Sequence, residues 1–248
     1  KTIDGGSGTD TLVVSYSGIS SITSFTDISY DSSTSILTFT DTNGGKINSQ
    51  AIENFTVGGV TYSFVYDGYD SRTGQQVNTG ASNDISNGEN NRISHAFISS
   101  DGTQVKLYDP SSGSTNFTIP SMSAFQGSDT WLDSALTITG SSSADMISDR
   151  GGMMGSGSLG ALTVNAGDGH DQVKIAALTD NADTIRLEAG DDIVYVGSDY
   201  TSDILDGGDG SDWISFTYYY SDVNFSLNSN NTTNFENIGG TTKDDTLT

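Results

Sequence analysis

Residues Gly207 to Ser215 read G-G-D-G-S-D-W-I-S, and Gly5 to Val13 read G-G-S-G-T-D-T-L-V. Both fit the nine-residue pattern G-G-x-G-x-D-x-U-x, in which U is a large apolar residue. Partial copies occur at Ala166 to Lys174 (A-G-D-G-H-D-Q-V-K), Gly190 to Val194 (G-D-D-I-V), Gly140 to Ser148 (G-S-S-S-A-D-M-I-S) and Gly240 to Thr248 (G-T-T-K-D-D-T-L-T). One match would mean little in a chain with 30 glycines in 248 residues, but two intact copies and several partial ones define a repeat. The spacing carries the fold. Asp171 to Asp192 is 21 residues and Asp192 to Asp212 is 20, while the glycine-free half-motifs around Asp183 and Asp203 are also 20 apart. Two interleaved series with one period describe a flattened coil of strand, turn, strand and opposite turn, each coil stacked ~4.8 Å below the last in a parallel ladder. Asp171, Asp192 and Asp212 then share one edge, and Asp183 and Asp203 the other.

Residues 14–139 lack the repeat but still read as β. Asn54 to Val57 and Val60 to Val65 flank Gly58-Gly59, which supplies the positive φ of a tight hairpin turn. Ile36 to Thr40 and Lys46 to Ile52 form a second expected pair, with further strands at Ile93 to Ile98, Val105 to Tyr108, Phe117 to Ile119 and Leu136 to Thr139. No stretch shows sustained helical periodicity with caps. Asp67 to Asn91 is polar, an expected long loop with a faint repeat echo at Gly80 to Ile85. The expected architecture is all-β: a repeat-type turn at 1–13, a β-rich region at 14–139 forming either a sandwich or irregular coils, and a degenerate parallel β-roll (β-solenoid) at 140–248.

Composition narrows the chemistry. With 32 acidic against 9 basic side chains the formal charge is −23, which repels nucleic acid and anionic membranes. No apolar run reaches the ~18–20 residues of a membrane span. Without cysteine, and with His95 and His170 as the two histidines, thiolate sites and the usual zinc or iron sites lack ligands. Carboxylates on glycine-rich turns suit a hard cation, and Ca²⁺ takes about 6–8 oxygens from carboxylates and carbonyls. The 11 Tyr and 10 Phe argue against a disordered acidic tract. No nucleophile elbow is present, since Gly155 to Ser158 has the wrong spacing, and no H-E-x-x-H occurs, so a non-enzymatic role is expected.

The nonapeptide resembles that of the repeats-in-toxin, or hemolysin-type, calcium-binding β-rolls of secreted bacterial toxins, proteases, adhesins and surface-layer proteins. The resemblance covers residues 140–248 and the first thirteen. It implies Ca²⁺ between neighbouring turns on one edge, with carboxylates from Asp10, Asp171, Asp192, Asp212, Asp145 and Asp245, and carbonyls from Gly167, Gly169, Gly190, Gly208 and Gly210. Asp168, Asp191 and Asp209 are accessory ligands or solvated charges, Asp183 and Asp203 form the second edge, and Val173, Val194, Ile214, Ile185, Leu205 and Leu247 match the family's core positions. The family's coil takes two nonapeptides, about 18 residues; here the half-coils alternate between 9 and 11 or 12. The implied role is a calcium-stiffened segment of an extracellular surface layer, filament or long adhesin, exported in one step and associating with itself or with neighbouring domains. The alternatives are a calcium-dependent secretion and folding module of a larger enzyme or toxin, and an adhesin domain binding surface glycans. Carboxylates ~5 Å apart repel by roughly 1–3 kcal/mol, so the cation is expected to control folding of the roll.

Overall fold

In the computed structural model, which describes residues 1–66, 69–70, 75–76, 95–110, 115–118, 135–148, 160–174, 182–197, 200–228 and 231–248, the chain is all-β with parallel sheets. Most of the expected loop at 67–91, its repeat echo and the Gly155 to Ser158 run lie outside the described residues. Among the described residues no helix is long and apolar enough to cross a membrane.

The long sheet runs the length of the molecule. It opens with Thr11–Val14 beside Asn54–Val57, turns through the antiparallel strands Val60–Tyr66, Ala96–Ser99 and Gln104–Leu107, and continues in parallel through Leu136–Thr139, Leu162–Asn165, Thr184–Arg186, Ile204–Asp206 and Thr232–Thr233. Facing its parallel half is an all-parallel sheet of Thr115–Thr118, Asp145–Ser148, Gln172–Lys174, Ile193–Tyr195, Trp213–Ser215 and Asn237–Gly239. The strands are short because each coil spends only three or four residues on a face before the next corner. Register is in phase with the repeat: Val173, Val194, Ile214 and Ile238 stack in one row, and Val164, Ile185 and Leu205 in another. Val173, Val194 and Ile214 are fully buried, so successive coils close over each other's apolar side chains. The roll's sheets begin upstream of residue 140, because Gln104–Leu107 and Leu136–Thr139 already pair in parallel.

Near the N-terminus a five-stranded sheet (Thr2–Asp4, Lys46–Gln50, Ile36–Asp41, Phe25–Asp31, Asp109–Pro110) belongs to a second hydrophobic cluster, shared with the long sheet. That cluster is aromatic: Phe97 has ring centroids 5.6 Å from Phe39, 5.5 Å from Phe55 and Phe64, and 5.3 Å from Tyr108. The expected hairpins at 54–65 and 36–50 are both formed. Ala96–Ser99 is buried on both faces, since Ala96 and Ile98 join the roll core while Phe97 joins the aromatic one. Period-2 alternation therefore fails here for a physical reason: the strand is the wall between two cores.

Candidate metal centre

The corners between the two roll sheets stack a ladder of carboxylates. The Asp145 N–H donates to Asp171 Oδ1 at 2.8 Å, the Asp171 N–H to Asp192 Oδ1 at 2.6 Å, and the Asp192 N–H to Asp212 Oδ1 at 2.9 Å. The ladder ends where the Asp212 N–H donates to Glu236 Oε2 at 2.9 Å. Each aspartate thus uses one oxygen to hold the coil above it. The other oxygen, Oδ2 of Asp171, Asp192 and Asp212, is buried without a hydrogen-bond partner. A buried carboxylate oxygen without a partner is costly unless a proton, a water or a cation meets it, and three such oxygens lie in register along one edge.

Glycine is required at these corners by contact as well as by φ. A Cβ at Gly190 (φ +155°) would strike the Gly169 carbonyl oxygen, and one at Gly210 (φ +149°) the Gly190 carbonyl oxygen. The Gly169 and Gly190 carbonyls thus lie directly against the glycine of the next corner. Short parallel bridges Asp168 to Ala189 and Ala189 to Asp209 pin the corners together. Asp168 and Asp209 themselves are exposed on the rim, as is His170, whose Nδ1 accepts the Asp191 N–H at 3.0 Å.

Electrostatics follow the geometry. Desolvation, with the charges of Asp145, Asp192 and Asp168, pushes the Asp171 carboxyl up to about 8 against the N–H bond from Asp145. Asp192 is raised to about 6 by burial and by Asp212, and Asp212 is raised by burial and by Glu236, Asp191 and Asp206. Without a cation the edge resists being fully ionised.

Two predicted ligands sit in a different kind of turn. At Asp145, Oδ2 accepts the Ser141 N–H at 2.6 Å and Oδ1 the Ser141 hydroxyl at 2.9 Å; at Asp245 the Thr241 N–H and hydroxyl do the same at 2.6 and 2.9 Å. Both oxygens are engaged within the turn. Asp145 is nonetheless raised to about 7, by desolvation, and its nearby positive charge is Lys106, whose ammonium donates to the Gly140 carbonyl. Burial lowers the Lys106 pKa against the pull of Asp145, Asp109, Glu188 and Asp27.

On the opposite edge the Leu162 N–H donates to Asp183 Oδ1 at 2.8 Å and the Asp183 N–H to Asp203 Oδ1 at 3.1 Å. Asp183 and Asp203 are buried ladder caps, and neither has an unsatisfied oxygen.

Asp10 lies far from this row in sequence yet repeats its geometry. The Asp10 N–H donates to Glu53 Oε2 at 2.8 Å, and Asp10 Oδ2 is buried and unpartnered. Glu53 and Glu236 are the residues missed by sequence reasoning. Each sits in a glycine-free corner, and the signal available was the shared I-E-N-F at 52–55 and F-E-N-I at 235–238.

Whether these residues suit Ca²⁺ turns on the donor set. Among the described residues no group of three or more His, Cys, Asp or Glu converges on one point. The donors on offer are instead one spare carboxylate oxygen per corner, at Asp171, Asp192 and Asp212, which as hard oxygen suits a hard cation such as Ca²⁺ better than a soft metal. No family model, curated protein or solved structure matches the chain.

Proposed function

We propose that the chain is a calcium-binding structural segment of a secreted bacterial surface protein, in which ions seated between glycine corners turn a self-repelling acidic edge into a stiff rod. The observation that carries this reading is the set of buried, unpartnered oxygens at Asp10, Asp171, Asp192 and Asp212. These are the motif aspartates in glycine-type corners, whereas the serine- and threonine-type corners at Asp145 and Asp245 have no such oxygen. A cation there satisfies the orphan oxygens and removes the mutual repulsion in one step. At a hundred times its Kd each ion adds about 2.7 kcal/mol, and a few ions together rival the ~5–15 kcal/mol stability of a whole domain. Extracellular calcium would load the sites after export, while a calcium-poor cytoplasm would leave the roll loose.

The test is calorimetric titration of chelator-stripped protein with CaCl₂ beside circular dichroism. The expected result is saturable binding with a gain in strand signal and thermal stability that EGTA reverses. Strand content and melting temperature that stay the same with all metal removed would overturn the reading.

A further inference from the structure

Exposed aromatic surface is concentrated in one part of the roll. Of the seven large apolar side chains that stand well out into solvent among the described residues, three fall between residues 213 and 220: Trp213 at 45%, Tyr218 at 41% and Tyr220 at 86%. Clustered exposure of this kind marks a binding surface more often than scattered single residues do.

The outer face of the second roll sheet carries the first two. Side chains two apart on a strand share a face, so Gln172, Lys174, Ile193, Tyr195 and Trp213 point outward while Val173, Val194 and Ile214 fill the core. Trp213 stands between Ile193 on one neighbouring strand and Asn237 on the other. Tyr218 lies against the same face, its ring edge-on to Tyr195 at 5.4 Å between centroids and the Lys174 ammonium 4.0 Å from its centre. These contacts hold the ring in place before anything binds, which lowers the entropy a ligand must overcome. Polar groups flank the aromatic surface: Gln172 is exposed on one side, and on the other the Asn237 amide donates to Ser211 Oγ at 3.0 Å.

Charge and size narrow the partner. The strands Gln172–Lys174, Ile193–Tyr195, Trp213–Ser215 and Asn237–Gly239 hold no acidic residue, in a chain that has 32. The apolar part covers two neighbouring strands and about 10 Å of their length, on the order of 100 Å², against the ~800 Å² that each partner gives to a stable protein interface. A second copy or another protein therefore lacks the area it needs. A neutral sugar needs little area and no opposite charge, whereas the −23 of the whole chain repels an acidic one. We infer that this face binds a neutral polysaccharide, the apolar C–H side of its pyranose rings lying on Trp213 beside Tyr218 and its hydroxyls bonding to Gln172, Asn237 and Ser211. Tryptophan and tyrosine suit such a ligand because each offers a flat apolar ring with a polar group at its edge. The inference stands on the outer sheet face and does not depend on the calcium reading.

The test is affinity electrophoresis of the whole chain in native gels containing calcium and hydroxyethylcellulose, mannan or dextran, with polygalacturonate as the acidic control. Circular dichroism reports the folding of each variant separately. At least one neutral polymer is expected to retard the wild type while polygalacturonate does not. Trp213→Ala should bind that polymer about tenfold or more weakly. Tyr218→Ala, outside the strands, should also weaken binding and serves as the second reading if Trp213→Ala loses strand signal. Wild type that no neutral polymer retards, equal retardation by polygalacturonate, or retardation unchanged in both folded variants would each overturn the inference. So would a dimer in sedimentation velocity that Trp213→Ala abolishes, since the face would then belong to a second copy.

Discussion

Replacing Asp171 by asparagine separates the carboxylate's two tasks. The amide oxygen can still accept the Asp145 N–H, but no charge remains to repel Asp145 and Asp192 or to hold a cation. The Asp171 pKa is about 8 in the fold against 3.8 for the free side chain. Because the folded value is the higher, this contribution is fully present below pH 3.8 and is lost as pH climbs to about 8. At pH 7 the gap from 3.8 is about three pK units, so neutralising or ionising Asp171 costs the metal-free fold on the order of 4 kcal/mol, and at pH 5 roughly 2 kcal/mol. Asparagine carries no such cost. In EGTA at pH 7 the variant should hold its strand signal to higher urea than wild type, with a smaller margin at pH 5. In millimolar calcium the order should reverse, since wild type gains about 2.7 kcal/mol per well-loaded site and the variant loses the ions flanking residue 171. Urea denaturation followed by circular dichroism, at both pH values with and without calcium, reads all four conditions. A variant less stable than wild type in EGTA, or one stabilised by calcium as much as wild type, would refute the reasoning.

Other outcomes follow from single contacts. Asp145→Asn is expected to leave the number of bound calcium ions unchanged, since its oxygens serve Ser141, whereas Asp192→Asn should lower it; calorimetric stoichiometry distinguishes them. Gly210→Ala should cost about 2–4 kcal/mol in thermal melts, because the new methyl group meets the Gly190 carbonyl and the backbone must shift. Glu188 holds φ +73° where the neighbouring coils place Gly167 and Gly208, so Glu188→Gly should stabilise by about 0.5–1 kcal/mol, the left-handed strain relieved less the added chain entropy. Phe97→Ala should cost about 3–5 kcal/mol by emptying the centre of the aromatic cluster, seen as a lowered melting temperature with or without calcium.

The roll was legible because its information is periodic. The apolar residue two positions after each motif aspartate fixes register, and Val173, Val194 and Ile214 stack as their spacing requires. The hairpins were legible from alternation and from Gly58-Gly59. What could not be read was anything decided across the chain. Lys106 reaches the Gly140 carbonyl from 34 residues away, and no local pattern announces it. Glu53 and Glu236 escaped because their corners carry no glycines. The behaviour of Asp145 and Asp245 was encoded locally, in the serine and threonine four residues earlier, where the corners of Asp10, Asp171 and Asp212 have Gly6, Gly167 and Gly208 and that of Asp192 has Glu188. A hydroxyl at that position hydrogen-bonds its own turn's carboxylate, so the residue four before the aspartate decides which of two chemistries the corner has.

The strand Ala96–Ser99 gives the molecule a keel. With side chains packed into separate cores on its two sides, it has no silent face: a change at Phe97 loosens the aromatic layer, one at Ile98 the first coils of the roll. It also gives the roll a wall that requires no ion, against which the coil at Gln104–Leu107 can seat and from which later coils can be laid down in one direction, N-terminal to C-terminal.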